Sequence, residues 1–204
     1  MTPAHSTALL LREQGFSTIP VKADKRPLIQ WKPYQERRPT DEELTKWFSR
    51  DAGIALVAGE IQILDLDEKY AKGILSRFAA RSEEAGLDYL LGELVRQRTQ
   101  NGGYHLVWRC ASPIGNEKLA SRTANEEERA KGQREFSMIE TRGAGGYFLI
   151  SPSPGYVLEQ GDWSSIPIIS EEDRDALLSL ARSFDERQPV ELPNSEPSDR
   201  KSVV

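Results

Sequence analysis

The sequence predicts an α+β domain in which a mixed or antiparallel sheet is flanked by helices. Three observations carry that prediction. Strand-like and helix-like stretches are intermixed along the chain. Residues 54–58 and 61–66 both read as strands and are separated only around Gly59. Residues 136–141 and 147–151 are a second consecutive pair, joined by the short segment from Arg142 to Gly146. A doubly wound parallel sheet needs a crossover, usually helical, between neighbouring strands, so strands that follow one another directly argue against it.

The elements follow in order. Residues 6–14 have the apolar spacing of a short helix, with Gly15 as its stop. Residues 16–21 are strand-like, and the proline-punctuated stretch that follows, up to Pro39, reads as a long loop. Thr40 and Glu43 form a capping box ahead of Leu44, Trp47 and Phe48, so a helix starts there. After the two strands 54–58 and 61–66, residues 69–98 are helical in pattern, with a break at Gly86. Residues 104–110 alternate as a strand. Residues 116–135 are almost wholly polar and read as an exposed helix or a mobile excursion. Strands 136–141 and 147–151 come next, with Gly143-Ala-Gly-Gly146 as a hairpin turn. Ser170 opens a last helix running to about residue 184, with acidic residues in its first turn. From Asp185 onward proline, serine, asparagine and charge dominate, which predicts a disordered tail or linker. The expected organisation is a catalytic domain over 1–168, a C-terminal helix over 169–184 and the tail over 185–204.

Composition narrows the function. The chain has 204 residues, the size of one domain, and a net charge of −5, so it is not a uniformly basic nucleic-acid coat. The charge is uneven: residues 1–50 hold nine basic and six acidic side chains, a local +3. That excess centres on Lys22, Lys25, Arg26, Lys32, Arg37 and Arg38, interleaved with Trp31 and Tyr34; such a cluster serves either as a solvated loop or as a local anion-binding surface. A single cysteine, Cys110, excludes an internal disulfide framework, and with only His5 and His105 beside it a four-ligand zinc site is not expected. The longest apolar run, residues 54–58, is far short of the ~18 residues that span a bilayer, and no secretory leader is evident. A soluble, cytoplasmic protein with no membrane partner is expected.

The most informative segment is Ile61-Gln-Ile-Leu-Asp65-Leu-Asp67. On a strand the two aspartates share a face, about 6.5–7 Å apart along the chain, while Leu64 and Leu66 point into a core. Adjacent like charges at the end of a buried strand call for a compensating cation, and a divalent metal held by oxygens is the simplest. The other reading of Asp67 is a cap for the helix near Lys69. In Phe136-Ser-Met-Ile-Glu140-Thr-Arg142 a third carboxylate ends another apolar strand, with Arg142 two residues on. Read alone, that is either a surface ion pair or the third acid of a two-metal clamp with a phosphate-binding arginine beside it. In Asn101-Gly-Gly103-Tyr-His105, two glycines permit close backbone approach, and His105 is either structural or a hydrogen-bond donor to phosphate. The glycine-rich turn at 143–146 is not a Walker loop, because no Gly-Lys-Ser/Thr follows.

The order of these signals is more specific than any one of them. An early Lys25-Arg26-Pro27 with a downstream Trp31, the Asp-x-Asp strand, the Gly-Gly-x-His strand, then Glu140-x-Arg-Gly-x-Gly-Gly-Tyr147 and Ser151-Pro-Ser153 form a succession. It resembles the primase–polymerase (prim-pol) catalytic domain of plasmid and phage replication proteins, in the archaeo-eukaryotic primase superfamily, from about Ala8 to Trp163. The resemblance implies a compact primase-type core with an RRM-like sheet that initiates or extends a strand on a single-stranded DNA template from dNTPs or NTPs, releasing pyrophosphate. It implies Asp65, Asp67 and Glu140 as catalytic, metal-binding carboxylates for two Mg²⁺ or Mn²⁺ ions. It implies His105 and Arg142 at the triphosphate, Lys25 and Arg26 on the nucleotide or template side, and Asn101 and Gly103 in the nucleotide contact, with a helicase domain or protein acting downstream. The sequence departs from the pattern in carrying Glu140 where aspartate is commoner, in Asn101 where serine is frequent, and in lacking ligands for the zinc-bearing stem of some relatives. A non-catalytic DNA- or nucleotide-binding module of a replication initiator is the alternative. A haloacid-dehalogenase-type phosphatase fits poorly, since Glu68 and Lys69, not a small hydroxyl residue, follow the second aspartate.

Overall fold

Thr2 caps the first helix by accepting a hydrogen bond from the His5 amide, and Pro3 occupies the first turn, where its missing N–H costs nothing. Helix α1 therefore begins earlier than its apolar spacing suggests, at Pro3–Glu13, and Gly15 (φ +94°) turns the chain out of it. In the computed structural model, residues 1–187 are described; residues 188–204, most of the predicted tail, lie outside them. The elements that follow are β1 (Thr18–Val21), a 3₁₀ turn (Lys32–Gln35), α2 (Asp41–Trp47), β2 (Gly53–Val57) and β3 (Ile61–Leu66). Then come α3 (Ile74–Glu84), α4 (Asp88–Glu93), β4 (Val95–Arg98), β5 (Tyr104–Arg109) and β6 (Lys118–Thr123). The last are α5 (Glu126–Ala130), β7 (Glu135–Arg142), β8 (Tyr147–Ile150), β9 (Val157–Gln160) and α6 (Glu171–Arg182). The capping box at α2 forms as the sequence predicts, with Thr40 and Glu43 bonding each other's amides.

The fold is α+β, and its strands form two antiparallel sheets, one of three strands in the order β1-β2-β8 and one of six in the order β6-β7-β3-β5-β4-β9. Period-two alternation assigns each face of β3 its own core. Leu64 and Leu66 join Trp108, Phe78, Leu90 and Leu177 under α3, α4 and α6. Ile61 and Ile63 join Val107, Leu56 and Phe148 between the two sheets, with α1 and α2 closing that layer. The middle strand of the small sheet is buried on both sides, since Ala55 and Val57 pack with Ile19 and Tyr34 under the 22–39 segment. This is why residues 54–58 read as an uninterrupted apolar run. Each fully buried leucine or isoleucine of these layers contributes about 1.5–3 kcal/mol of transfer free energy.

Three expectations are corrected. The helical reading of 69–98 runs too far: α3 stops at Gly86 (φ +69°), as expected, but Val95–Arg98 is strand β4. With one apolar residue in Val-Arg-Gln-Arg, its inward position is filled by Gln97, so no apolar alternation marks it. The polar stretch 116–135 is β6 followed by the short α5. A register shift around Ala120 buries the consecutive residues Leu119 and Ala120 in one core, which erases the two-residue period. Finally, Gly143 to Gly146 is not a hairpin, for β7 belongs to the six-stranded sheet and β8 to the three-stranded one. The segment passes from one sheet to the other with Gly143 against the carbonyl of Ile114, where a side chain has no room.

Candidate active site

Cross-strand register builds the site. Asp65 on β3 is directly opposite His105 on β5 and Glu140 on β7. The same row continues outward to Gln97 on β4 and Lys118 on β6. Directly opposed residues of an antiparallel pair share a face, so five strands contribute one polar row: Gln97, His105, Asp65, Glu140, Lys118. The adjacent row on that face is Val95, Val107, Ile63 and Arg142, three of them core residues. The polar row thus lies where the core between the sheets gives way to a cleft of about 430 Å³. Lys25 and Trp31 from the 22–39 segment, Asn116, Arg142, Tyr147 and Tyr156 line the remainder of that cleft.

Asp65 Oδ1 stands 3.7 Å from His105 Nε2, beyond hydrogen-bond distance. Burial pushes the Asp65 carboxyl up to about 6, against the pull of Arg142, with the charge of Asp67 adding to the rise. Glu140 also lies above the ordinary carboxylate range, through burial and then, against the Arg142 guanidinium 3.0 Å away, the charge of Asp65. His105 is driven the other way, to about 3, by burial and then by Lys25 and Arg142. Near neutral pH the cleft therefore holds a neutral imidazole flanked by under-compensated carboxylates and two cations.

The third acid is turned differently. Asp67 directly follows β3, its amide donating to the Met138 carbonyl, and its Oδ1 accepts from the Lys69 amide at 2.9 Å. The helix that Asp67 was expected to cap near Lys69 does not start there: residues 68–73 are turns, and α3 begins at Ile74 behind Gly73, so Asp67 closes a local turn and caps no helix. Among the described residues no three His, Cys, Asp or Glu side chains are gathered as a ready-made metal cage. The donor chemistry nevertheless suits a hard divalent cation, because Asp65 and Glu140 offer carboxylate oxygens whose charge the protein leaves only partly neutralised.

The other residues singled out from the sequence divide between the cleft and its surroundings. Lys25 lines the cleft, whereas Arg26 does not; its side chain is 81% exposed with Asp24 as its neighbour at 3.8 Å. Asn101 is exposed in the turn between β4 and β5, outside the cleft lining. Gly103 touches the Leu66 carbonyl where a Cβ would collide, so it lets β5 close against the end of β3 beside Asp67. Sequence reasoning did not reach Gln97, Tyr156 or Asn116, and it met Tyr147 only as the end of the glycine-rich motif, without a place in the cleft. Their positions depend on strand pairing and on the passage between sheets, and no short-range pattern encodes either.

Among the described residues no helix is long and apolar enough to cross a membrane. A family model described as "Bifunctional DNA primase/polymerase, N-terminal" matches residues 8–194, nearly the whole chain. No curated protein sequence matches.

Proposed function

This chain belongs to the bifunctional DNA primase/polymerase N-terminal family, and from that premise we propose that its cleft carries out template-directed nucleotidyl transfer on single-stranded DNA, joining dNTPs or NTPs and releasing pyrophosphate. The observation that supports the proposal is the row Glu140–Asp65–His105 on three adjacent strands: Asp65 and His105 line a cleft that also receives Lys25 and Arg142, and Glu140 stands just outside that lining, paired with Arg142. Acids at one end of the row and a neutral donor with two cations around it match the two demands of the reaction.

Asp65, Asp67 and Glu140 would hold Mg²⁺ or Mn²⁺, which when bound supplies activation of the attacking 3′-hydroxyl and neutralisation of the triphosphate. Arg142, released from Glu140, would meet phosphate oxygens with its planar fork of donors. Lys25 adds a point charge on the opposite wall, and His105 donates from Nε2 to a phosphate oxygen. Trp31 and Tyr147, edge to face at 5.0 Å on the cleft wall, offer flat apolar surface to a base. No side-chain nucleophile is needed, because positioning and electrostatic complementarity account for most of the rate in phosphoryl transfer. The +3 balance of residues 1–50 supports a local template path on a chain whose net charge is −5.

The test is extension of a labelled primer on single-stranded DNA with four dNTPs and Mg²⁺ or Mn²⁺, with Asp65→Ala alongside. Metal-dependent, template-directed extension that disappears in the variant is the expected result. Unchanged extension in Asp65→Ala would remove the metal assignment. Nucleotide or DNA binding without extension under either metal would favour the non-catalytic binding module instead.

A further inference from the structure

Gln97 is completely buried, yet its side-chain amide is fully engaged. Its Oε1 accepts from the Ser151 amide at 2.9 Å, and its Nε2 donates to the Leu149 carbonyl at 2.8 Å. The same Nε2 lies 2.8 Å from His105 Nδ1. The orientation of this amide is not arbitrary. Turned over, it would set its oxygen against the Leu149 carbonyl and its NH₂ against the Ser151 N–H, losing both bonds. With the amide so fixed, the group facing His105 is a donor. A neutral imidazole has one donor and one acceptor nitrogen, so Nδ1 must present its lone pair and the proton must sit on Nε2. His105 Nε2 faces the cleft, with Asp65 Oδ1 3.7 Å away.

We propose that Gln97 is the positioning residue that fixes His105 as its Nε2–H tautomer, so that the histidine enters the site as an uncharged hydrogen-bond donor. A proton on Nδ1, in either the other neutral tautomer or the imidazolium, would meet the amide NH₂ head-on. The consequence rests on the nucleotide-transfer reading given above: a triphosphate oxygen only accepts, and the Gln97-fixed tautomer holds a donor toward it before the nucleotide arrives. Since Leu149 belongs to β8 and Ser151 directly follows it, the residue that sets the tautomer also joins the two sheets at the cleft.

The experiment is a two-bond ¹H–¹⁵N correlation spectrum of the full chain labelled with ¹⁵N-histidine, which reads which ring nitrogen carries the proton. With two histidines in the sequence, a His5→Gln variant completes the assignment. The expected spectrum for His105 is the Nε2–H pattern. In Gln97→Glu the carboxylate accepts where the amide donated, so the pattern should move to a protonated Nδ1. Where Nε2 gives up its proton, as in the other neutral tautomer, nucleotide KM should rise about tenfold to a hundredfold, the loss of one charge-assisted hydrogen bond, with a smaller change in kcat. Where the spectrum shows the imidazolium, Nε2 keeps its proton and KM should hold. Gln97→Met, which removes both donor and acceptor, should give a mixture of tautomers if the glutamate variant does not fold. An Nδ1–H pattern in the wild-type chain, or an unchanged Nε2–H pattern in both variants, would overturn the proposal. The expected spectra combined with unaltered KM in Gln97→Glu and His105→Ala would leave the role of Gln97 standing and count against the nucleotide contact.

Discussion

Two glutamate–arginine pairs, one under the N-terminal segment and one at the edge of the cleft, look alike on inspection and behave oppositely. Glu43 is 2.7 Å from Arg37 and Glu140 is 3.0 Å from Arg142, with the two carboxylates 27% and 26% exposed. Neither distance nor side-chain exposure separates them, but the protein packed around each carboxyl does, since burial is the first cause of the shift at Glu140 and the arginine bond is the first cause at Glu43. Glu43 is held down at about 2, while Glu140 is raised. Glu43 takes two bonds from Arg37, one from the Tyr34 hydroxyl and one from the Thr40 amide. Glu140 is desolvated, has the Arg142 guanidinium as its close partner with Lys118 opposite on β6, and faces Asp65 across the other strand. A pair that stabilises the fold saturates its carboxylate. A pair in a site leaves lone pairs unclaimed and a like charge beside it, and such a group accepts a cation when one is offered.

The comparison breaks most sharply under charge removal. Glu140→Gln should reduce primer extension by about a thousandfold, since metal-borne charge stabilisation contributes several kcal/mol and each 1.36 kcal/mol is tenfold. Its thermal stability should be unchanged or slightly higher, because a buried repulsion has been removed. Glu43→Gln should leave extension within about twofold and lower stability by about 1 kcal/mol, through the weakened cap and arginine bonds. Extension rates and unfolding midpoints of the two variants decide this, and equal stability losses in both would erase the distinction.

Acid separates the same groups by sign. Glu43 and Glu128, the latter bonded by both Arg122 nitrogens at 2.8 Å, are each held at about 2, below the ordinary 4.5. The unfolded chain binds protons first, so their stabilisation is complete above about pH 4.5 and is lost as pH falls toward 2. Asp65 is reversed: raised to about 6 from 3.8, its ionised form costs stability at neutral pH, and the cost disappears as pH falls from 6 to 4. In metal-free buffer Asp65→Asn should melt above the wild type at pH 7, and the gap should close by about pH 4. Melting curves with a constant gap across that range would show that Asp65 carries no such penalty.

Legibility followed the range of the interactions. The Thr40–Glu43 box, the Gly86 stop and the Ser170 cap are local devices three or four residues wide, and each was readable. Asp65 and Glu140 could be picked out because a charge ending an apolar strand is itself a local anomaly. Their neighbour Gln97 could not, since a glutamine in Val-Arg-Gln-Arg carries meaning only when β4 lies beside β5. The bulged strand β6 was hidden because its two inward residues are consecutive. The glycine-rich turn misled because the local pattern of a hairpin does not say which sheet the next strand will join.

The smallest effect sharpens the comparison within the basic cluster itself, where Lys25 and Arg26 are neighbours in sequence with different surroundings. Lys25 lines the cleft, with its Nζ 5.9 Å from the Tyr156 ring centre and its carbonyl accepting from the Tyr147 hydroxyl at 3.3 Å. It is also the one non-glycine residue with positive φ among those described, at +70°. A lysine in that conformation is strained relative to glycine, so Lys25→Gly should hold or raise stability by about 0.5–1 kcal/mol. Nucleotide or template KM should nonetheless rise several-fold, about threefold to tenfold, through loss of one partly desolvated charge. Arg26→Ala removes an exposed cation outside the cleft and should alter KM by less than about twofold at moderate salt. Steady-state kinetics with melting curves would read both. A Lys25→Gly chain that is more stable and kinetically unaltered would return the whole N-terminal cluster to the status of a solvated loop, because its one member aimed into the cleft would then contribute nothing there.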